Sequence, residues 1–407
     1  MIDVGVSDIA IYIPQFYLPH DELAEARGIP AEKFRVGLGN QKMAILPNWE
    51  DSVTMAANAA ALLLEKTGTT PQEIHQLVVS TESGVDHSKP VASFVQGLLN
   101  IGSRCRIYEI KHACYGGTAG IVTSIDWIAR NHGTSKKALV IMTDTARYGF
   151  GSPGEPTQGA GAVALLMEKN PRLFSVDTRT NGIFSKDVFD FWRPTGHRVP
   201  IVDGKYSVAC YLEAMEEAVS HFRSNVGIPR GRLLDHLDYI LYHMPFTGMA
   251  RKAHRHFVDT EHVDLAEETR QGLYTETFRT KVEPGLLGAR EVGNIYTGSV
   301  YMGLASLLET ERDRVEGKRV GVFSYGSGCG AEFFLCEFKT GVSEIIRRMR
   351  FREQLDRRKA ITFEQYVQWY SRSGAETLYH PTEVEAHKDP FTRFTFIGFK
   401  DHKRQYV

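Results

Sequence analysis

One pattern occurs twice in the chain, and it restricts the fold more than any other feature. In the first copy a buried apolar run, 77–81, ends in Glu82. The alternating run 107–112 then feeds a glycine-bearing turn, Ala113-Cys114-Tyr115-Gly116-Gly117, which opens a small-residue helical stretch. ALVIMT (138–143) follows, and Gly159-Ala160-Gly161 precedes the apolar run 162–167. The second copy has YILYH (239–243), the turn Val292-Gly293-Asn294-Ile295-Tyr296-Thr297-Gly298 ahead of 299–308, the run 319–323, and Gly326-Ser327-Gly328 ahead of 331–338. Recurrence in the same order with the same glycine punctuation predicts two similar α/β halves, 1–169 and 170–407, each a mixed sheet flanked by helices. An extension follows from about residue 340.

The turn around Cys114 is the most reactive point of the first copy. Tyr108, Ile110 and His112 alternate with Glu109 and Lys111 as in a strand, and the helical stretch starts just past Cys114. A thiol there meets unpaired helix N–H groups and the positive end of the dipole, which predicts a stabilised thiolate. Gly116 and Gly117 would let backbone approach a bound acyl group and offer N–H groups to a developing oxyanion. The competing reading is a small buried hydrophobe in a tight turn.

Composition narrows the partners. The 407 residues carry a formal net charge of −1, which argues against a general nucleic-acid or membrane-surface role and for a small molecule or protein. No signal-peptide pattern opens the chain and no apolar run reaches membrane-spanning length. Five scattered cysteines without a Cys-x-x-Cys pair point to a reducing cytoplasm and no structural zinc.

Elsewhere, 6–13 reads as the first strand, and 51–67 as a helix capped by Asp51 or Ser52. RVGLGNQKM (35–43) lacks the spacing of a dinucleotide fingerprint. The segment 170–232 carries aromatics at 189–192 and an amphipathic helix, 211–222. In the tail Arg347, Arg348, Arg350, Arg352, Arg357, Arg358 and Lys359 read either as a phosphate site or, beside Glu344, Glu353 and Asp356, as a solvated helix face.

Strands of such sheets deliver reactive groups at their carboxyl ends. Three such ends carry Glu82, the Cys114 turn and His243. A cysteine can hold an acyl group as a thioester, a carboxylate can move a proton on carbon, and a histidine can protonate an oxygen. Taken singly, Glu82 is equally well a helix cap and His243 a satisfied core histidine.

TESGVD (81–86), ACYGGTAG (113–120), TDTARYG (143–149), GEPTQGAGAVA (154–164), DFWRPTGH (190–197), HMPFTGM (243–249), GNIYTGS (293–299) and FSYGSG (323–328) together resemble 3-hydroxy-3-methylglutaryl-CoA synthase of the thiolase superfamily, bacterial type. The resemblance implies a layered α-β-α-β-α core and a condensation of acetyl-CoA with acetoacetyl-CoA in the mevalonate pathway. It implies Cys114 as the acylated nucleophile, Glu82 as the general acid/base and His243 as the residue addressing the second substrate. Asn294 resembles the acceptor-binding amide; Thr157, Ser207 and Ser327 resemble hydroxyls lining the acyl pocket; and Lys252, with Arg251 beside it, resembles the lysine contacting CoA phosphates. Tyr115, Asp144, Asp190 and Tyr325 resemble residues that fix the catalytic groups. No metal or redox cofactor is implied, and a homodimer is. Gly248 departs from the pattern, since many relatives have lysine there.

Other readings compete. A polyketide β-branching synthase would take its acceptor from an acyl carrier protein; AHRHF (253–257) and LDRRKAITFEQY (355–366) resemble that group, while the short segment 147–159 does not. A thiolase would use a second cysteine, for which Cys329 in Gly328-Cys329-Gly330 is the candidate. A catalytically silent scaffold would keep the core pattern without the reactive trio.

Overall fold

A computed structural model describes residues 2–372 and 389–407. The first strand, Val4–Tyr12, is buried along its whole length and lies in the middle of a ten-stranded sheet. On one side of it follow Gly159–Lys169 and Lys137–Ala146, both antiparallel steps, then Ile74–Ser80 and Arg106–Ile110 by parallel steps. On its other side the short strand Phe174–Val176 pairs with it, followed by Gly330–Phe338 and Arg319–Gly326 by antiparallel steps and Tyr239–Tyr242 by a parallel one. Strand order and strand direction therefore repeat about the junction between Val4–Tyr12 and Phe174–Val176. A further strand, Gly182–Ser185, pairs with Gly330–Phe338.

Alternation along each strand builds the layers. Ala138, Val140 and Met142 pack with Ile121, Ile125 and Ile128 of helix Gly116–Arg130 and with Leu304 and Leu308 of helix Ser299–Glu311. The alternate residues Leu139 and Ile141 face Ala56, Ala60 and Leu63 of helix Ser52–Thr67 instead. In the later half Val320 and Val322 join the central helices. Phe323 and Tyr325 turn to helices Gly204–Val226 and Thr247–Glu261. Two helices are thus sandwiched between two sheet halves, each covered outside by more helices, which is the thiolase-like α-β-α-β-α arrangement.

The predicted strands and helices are present with ends shifted by a few residues, except that the helix expected over 211–222 is nearly twice as long and spans Gly204–Val226. Asp51 is the cap of the 52–67 helix: its Oδ1 accepts from Thr54 N at 2.9 Å while Thr54 Oγ1 accepts from Asp51 N at 2.8 Å. A short strand, Lys42–Ile45, replaces the end of the loop expected over 34–43, because it pairs with Phe16–Pro19. Five arginines of the basic tail are held in ion pairs, so the stretch is not simply a solvated face. Arg347 and Arg348 pair with Glu344, Arg350 with Glu353, Arg357 with Asp389, and the buried Arg358 with Glu291. No helix of the described residues is long and apolar enough to cross a membrane.

Candidate active site

The strand Arg106–Ile110 leaves the sheet, and Cys114 follows in a turn where Ala113 takes a positive φ of 37°, a strained value for a residue with a Cβ. Packing holds the turn there. A Cβ on Gly326 would meet Tyr115 N at 2.5 Å and His112 O at 2.7 Å, so the glycine of the later half lets the two halves touch at the nucleophile. Tyr115 points away from the sulfur and donates to Glu332 Oε2 at 2.7 Å, anchoring the turn to Gly330–Phe338. Gly116 and Gly117 do not face the cavity. A Cβ on Gly117 would lie 2.7 Å from Met142 Cγ and 2.8 Å from Thr297 O, so this glycine lets the start of the helix pack closely.

Cys114 Sγ lies 3.5 Å from Glu82 Oε1, with the thiol donating. Asp144, fully buried at the end of its strand, fixes that partner. Its Oδ1 accepts from Thr81 Oγ1, Glu82 N, Ser83 N and Ser83 Oγ at 2.6–3.0 Å, and its Oδ2 from Thr297 N and Oγ1 at 3.1 and 2.7 Å. One carboxylate therefore ties the Glu82 loop of the first half to the 293–299 turn of the second.

The electrostatics reverse the expected thiolate. Burial, then the negative Glu82 and Asp144, push the Cys114 thiol well above its usual range. Burial and Asp144 push Glu82 up to about 8, against the lowering effect of the thiol's hydrogen bond and of Arg193. Desolvation beside two carboxylates outweighs the end of one helix dipole. The resting pair is a neutral thiol donating to a carboxyl that titrates near neutrality.

His243 follows strand Tyr239–Tyr242. Its N donates to Phe323 O and its carbonyl accepts from Tyr211 OH, both at 2.8 Å, while Nδ1 has no hydrogen-bond partner. Burial pushes the ring down to about 3, so it rests as a neutral imidazole that donates through an N–H. Asn294 Oδ1 accepts from Tyr296 N at 2.9 Å and Ser299 Oγ at 2.8 Å, which leaves its NH₂ for the cavity it lines. Asp190 accepts from Tyr325 OH at 2.7 Å, Ser207 Oγ at 3.1 Å and Gly328 N at 2.9 Å.

These groups converge on a cavity of about 550 Å³ lined by Cys114, Thr157, Ser207, His243, Asn294, Tyr325 and Ser327. Thr157 Oγ1 is spent on Gly154 O at 2.8 Å. Glu82 sits beside the cavity through its contact with the sulfur. Arg251 and Lys252 lie outside it: Arg251 donates to Val36 O at 2.6 Å, and the exposed Lys252 stands 5.7 Å from the ring of Phe246, which lines the cavity. They belong to its rim. Gly248 has a local reason, because a Cβ there would meet Gly37 O at 2.8 Å. Cys329 is buried near Tyr325 and does not line the cavity.

Sequence reasoning missed the aromatic wall. Tyr148, Phe191 and Tyr296 pack with Cys114, Phe191 lying 6.2 Å from Tyr148 and 5.8 Å from Tyr296 between ring centroids. Each lies inside a motif quoted above, but nothing short of the fold brings 148, 191 and 296 together.

Residues 1–171 match the model for the N-terminal part of hydroxymethylglutaryl-coenzyme A synthase, and 174–271 with 258–392 match that for the C-terminal part. The chain is 36% identical over 408 residues to a hydroxymethylglutaryl-CoA synthase of Enterococcus faecalis, covering 99% of each. It is 32% identical to the polyketide biosynthesis 3-hydroxy-3-methylglutaryl-ACP synthase PksG of Bacillus subtilis, over 92% of this chain and 89% of that one. Among solved structures it superposes on MvaS in complex with 3-hydroxy-3-methylglutaryl coenzyme A with a TM-score of 0.90 at 37% identity, covering 100% of this chain and 99% of that one. With both family models matched in order and a cysteine, a carboxyl and a histidine gathered at one cavity, the chain belongs to the hydroxymethylglutaryl-coenzyme A synthase family.

Proposed function

We propose that the chain forms 3-hydroxy-3-methylglutaryl-CoA from acetyl-CoA, acetoacetyl-CoA and water, with Cys114 as acyl carrier, Glu82 as base and His243 as donor to the acceptor. The observation that carries this reading is the 3.5 Å contact between Cys114 Sγ and Glu82 Oε1 beside a cavity that His243 and Asn294 also line.

In the first step the Cys114 sulfur attacks the thioester carbon, and the CoA sulfur leaves and takes up a proton. Because the thiol is neutral and donates to Glu82, the carboxylate form of Glu82 is placed to relay that proton, a wider role than carbon deprotonation alone. Acetylation then removes the thiol's hydrogen bond, one of the two influences lowering Glu82, so the base strengthens just before it is needed. Glu82 takes a methyl proton while backbone N–H groups near Cys114 and Ser327 hold the thioester oxygen. The resulting carbanion attacks the acetoacetyl ketone, whose oxygen, held by neutral His243 and the Asn294 NH₂, takes a proton from the His243 N–H, which the acid form of Glu82 replaces through solvent. Water finally cleaves the enzyme thioester, releasing a carboxylate. Arg251 and Lys252 at the rim suit the CoA phosphates. The scheme uses no metal ion or redox cofactor.

The same reading assigns the chain to the mevalonate route, in the cytoplasm, as a homodimer of protomers whose halves are 1–169 and 170–407. Five free cysteines suit a reducing compartment. Among the described residues strand Arg106–Ile110 pairs on one side only, and it carries half-buried Ile107, Tyr108 and Ile110, which supports association through that edge. An acceptor tethered to an acyl carrier protein is the second reading, favoured by the likeness to PksG; the higher identity and fuller coverage of the Enterococcus faecalis relative support free CoA. The test is a competition between acetoacetyl-CoA and the same acyl group on a carrier protein. The first reading expects faster turnover of the free thioester at equal concentration, and preference for the carrier-bound acceptor would replace it with the second.

A further inference from the structure

The cavity has a wall that the catalytic scheme leaves unused. Phe191–Trp192 and Ile201–Val202 form a two-stranded ribbon of two paired rungs that joins none of the other sheets among the described residues. Its root is fixed to the later half: Asp190, just before it, holds Tyr325, Ser207 and the Gly328 amide, and the Asp190 carbonyl accepts from Asp203 N at 3.1 Å. Phe191, Val199, Pro200 and Val202 face the cavity. At the tip of the ribbon, Arg193 crosses to the first half, where its guanidinium donates to the backbone carbonyl of Glu82.

The Glu82 peptide is therefore clamped from two directions. Its N–H donates to the carboxylate of Asp144 at 2.9 Å, and its C=O accepts from the guanidinium of Arg193. We infer that Arg193 is a positioning residue for carbon deprotonation: it latches the ribbon over the cavity and sets a positive charge beside the Glu82 carboxyl group. This rests on the reading of Glu82 as the base.

The charges around Glu82 come from three elements. Asp144, on strand Lys137–Ala146, raises its proton affinity; the Cys114 thiol and Arg193 lower it. Tyr148 and Tyr296 also sense its charge, but both are held neutral by burial. Once Cys114 is acetylated, Arg193 is the remaining group among those named that favours the carboxylate. The ribbon thus brings the cation that keeps the base ionised at the stage when the thiol no longer helps. Arg193 is exposed, so solvent screens it, and its removal should move the ionisation of Glu82 by roughly 0.5–1 pH unit.

The experiment measures deuterium entry into the methyl group of acetyl-Cys114 from heavy water between pH 6 and 10, in the wild type, Arg193→Gln, Arg193→Lys and Glu82→Gln. In Arg193→Gln the midpoint of the exchange profile should rise by roughly 0.5–1 pH unit, with acetyl-Cys114 reaching the same stoichiometry, and Arg193→Lys should restore it. A slower exchange with an unmoved midpoint in Arg193→Gln, or loss of acetylation along with exchange, would reduce Arg193 to a structural contact and overturn the inference. Exchange that persists in Glu82→Gln would instead remove Glu82 as the base, and the inference with it, so the two failures are told apart by which variant misbehaves.

Discussion

Replacing Glu82 with glutamine should make the protein more stable, and increasingly so as the pH rises. In the folded chain burial and Asp144 hold the Glu82 carboxyl up at about 8, against 4.5 for an ordinary glutamic acid. A group whose folded pKa lies above its unfolded one binds more protons when folded. The wild type therefore loses stability as pH climbs from about 4.5 through 8, and the loss levels off beyond. The gap of about 3.5 pH units corresponds to about 5 kcal/mol at 1.36 kcal/mol per unit, an upper bound. Glu82 is half-buried beside an open cavity, so about 2–3 kcal/mol is the realistic span between pH 5 and 8.5. Glutamine carries no charge in either state and can still accept from the Cys114 thiol, so any packing difference it introduces is independent of pH. The assay is urea unfolding of both proteins at several pH values, reading the difference in unfolding free energy. That difference should grow by about 2–3 kcal/mol in favour of Glu82→Gln. A constant difference across the range would show that Glu82 ionises at its ordinary pKa, and the argument from desolvation would be wrong.

His243, held down to about 3, stays neutral through the working range, so condensation should show no limb near pH 6.5 that disappears in His243 variants; such a limb would show a protonated imidazole at work. His243→Ala should still acetylate Cys114 and lose about 10²–10³ in condensation rate, while His243→Gln, which keeps an N–H donor, should retain part of it. Lys252→Ala should raise KM for the CoA thioesters with the saturated rate nearly unchanged, because the lysine lies at the rim, 5.7 Å from the Phe246 ring; a fall in kcat alone would place it elsewhere. Gly248→Lys should displace the 33–38 turn, since its Cβ would meet Gly37 O at 2.8 Å, and cost about 1–3 kcal/mol; urea unfolding would reveal it.

Much of the site was legible because strand ends and glycine turns leave local marks. The runs ending at Glu82 and His243, and the turn holding Cys114, could be read from periodicity alone. What periodicity cannot carry is convergence. Tyr148, Phe191 and Tyr296 sit on separate segments more than forty residues apart in sequence and look like ordinary core aromatics until the fold brings them onto the sulfur. The ionisation states were misjudged for a related reason. A helix dipole is local and visible from the Cys114 turn, whereas desolvation beside Glu82 and Asp144 depends on groups 32 and 30 positions away in sequence, and it prevails. Arg251 and Lys252 were marked by their place after His243, but only the contacts with Val36 and Phe246 put them at the rim.

The division of labour between Cys114 and Glu82 is tested most directly by following one acetyl group in Glu82→Gln. The variant is incubated with acetyl-CoA in heavy water, digested, and the Cys114 peptide weighed. Without the carboxylate relay, the account predicts slow acetylation of Cys114 and, once the acetyl group is in place, three methyl hydrogens that stay unexchanged, where the wild-type peptide carries deuterium. Deuterium entering the variant's acetyl group at the wild-type rate would contradict it, because the methyl proton would then be leaving to some group other than Glu82.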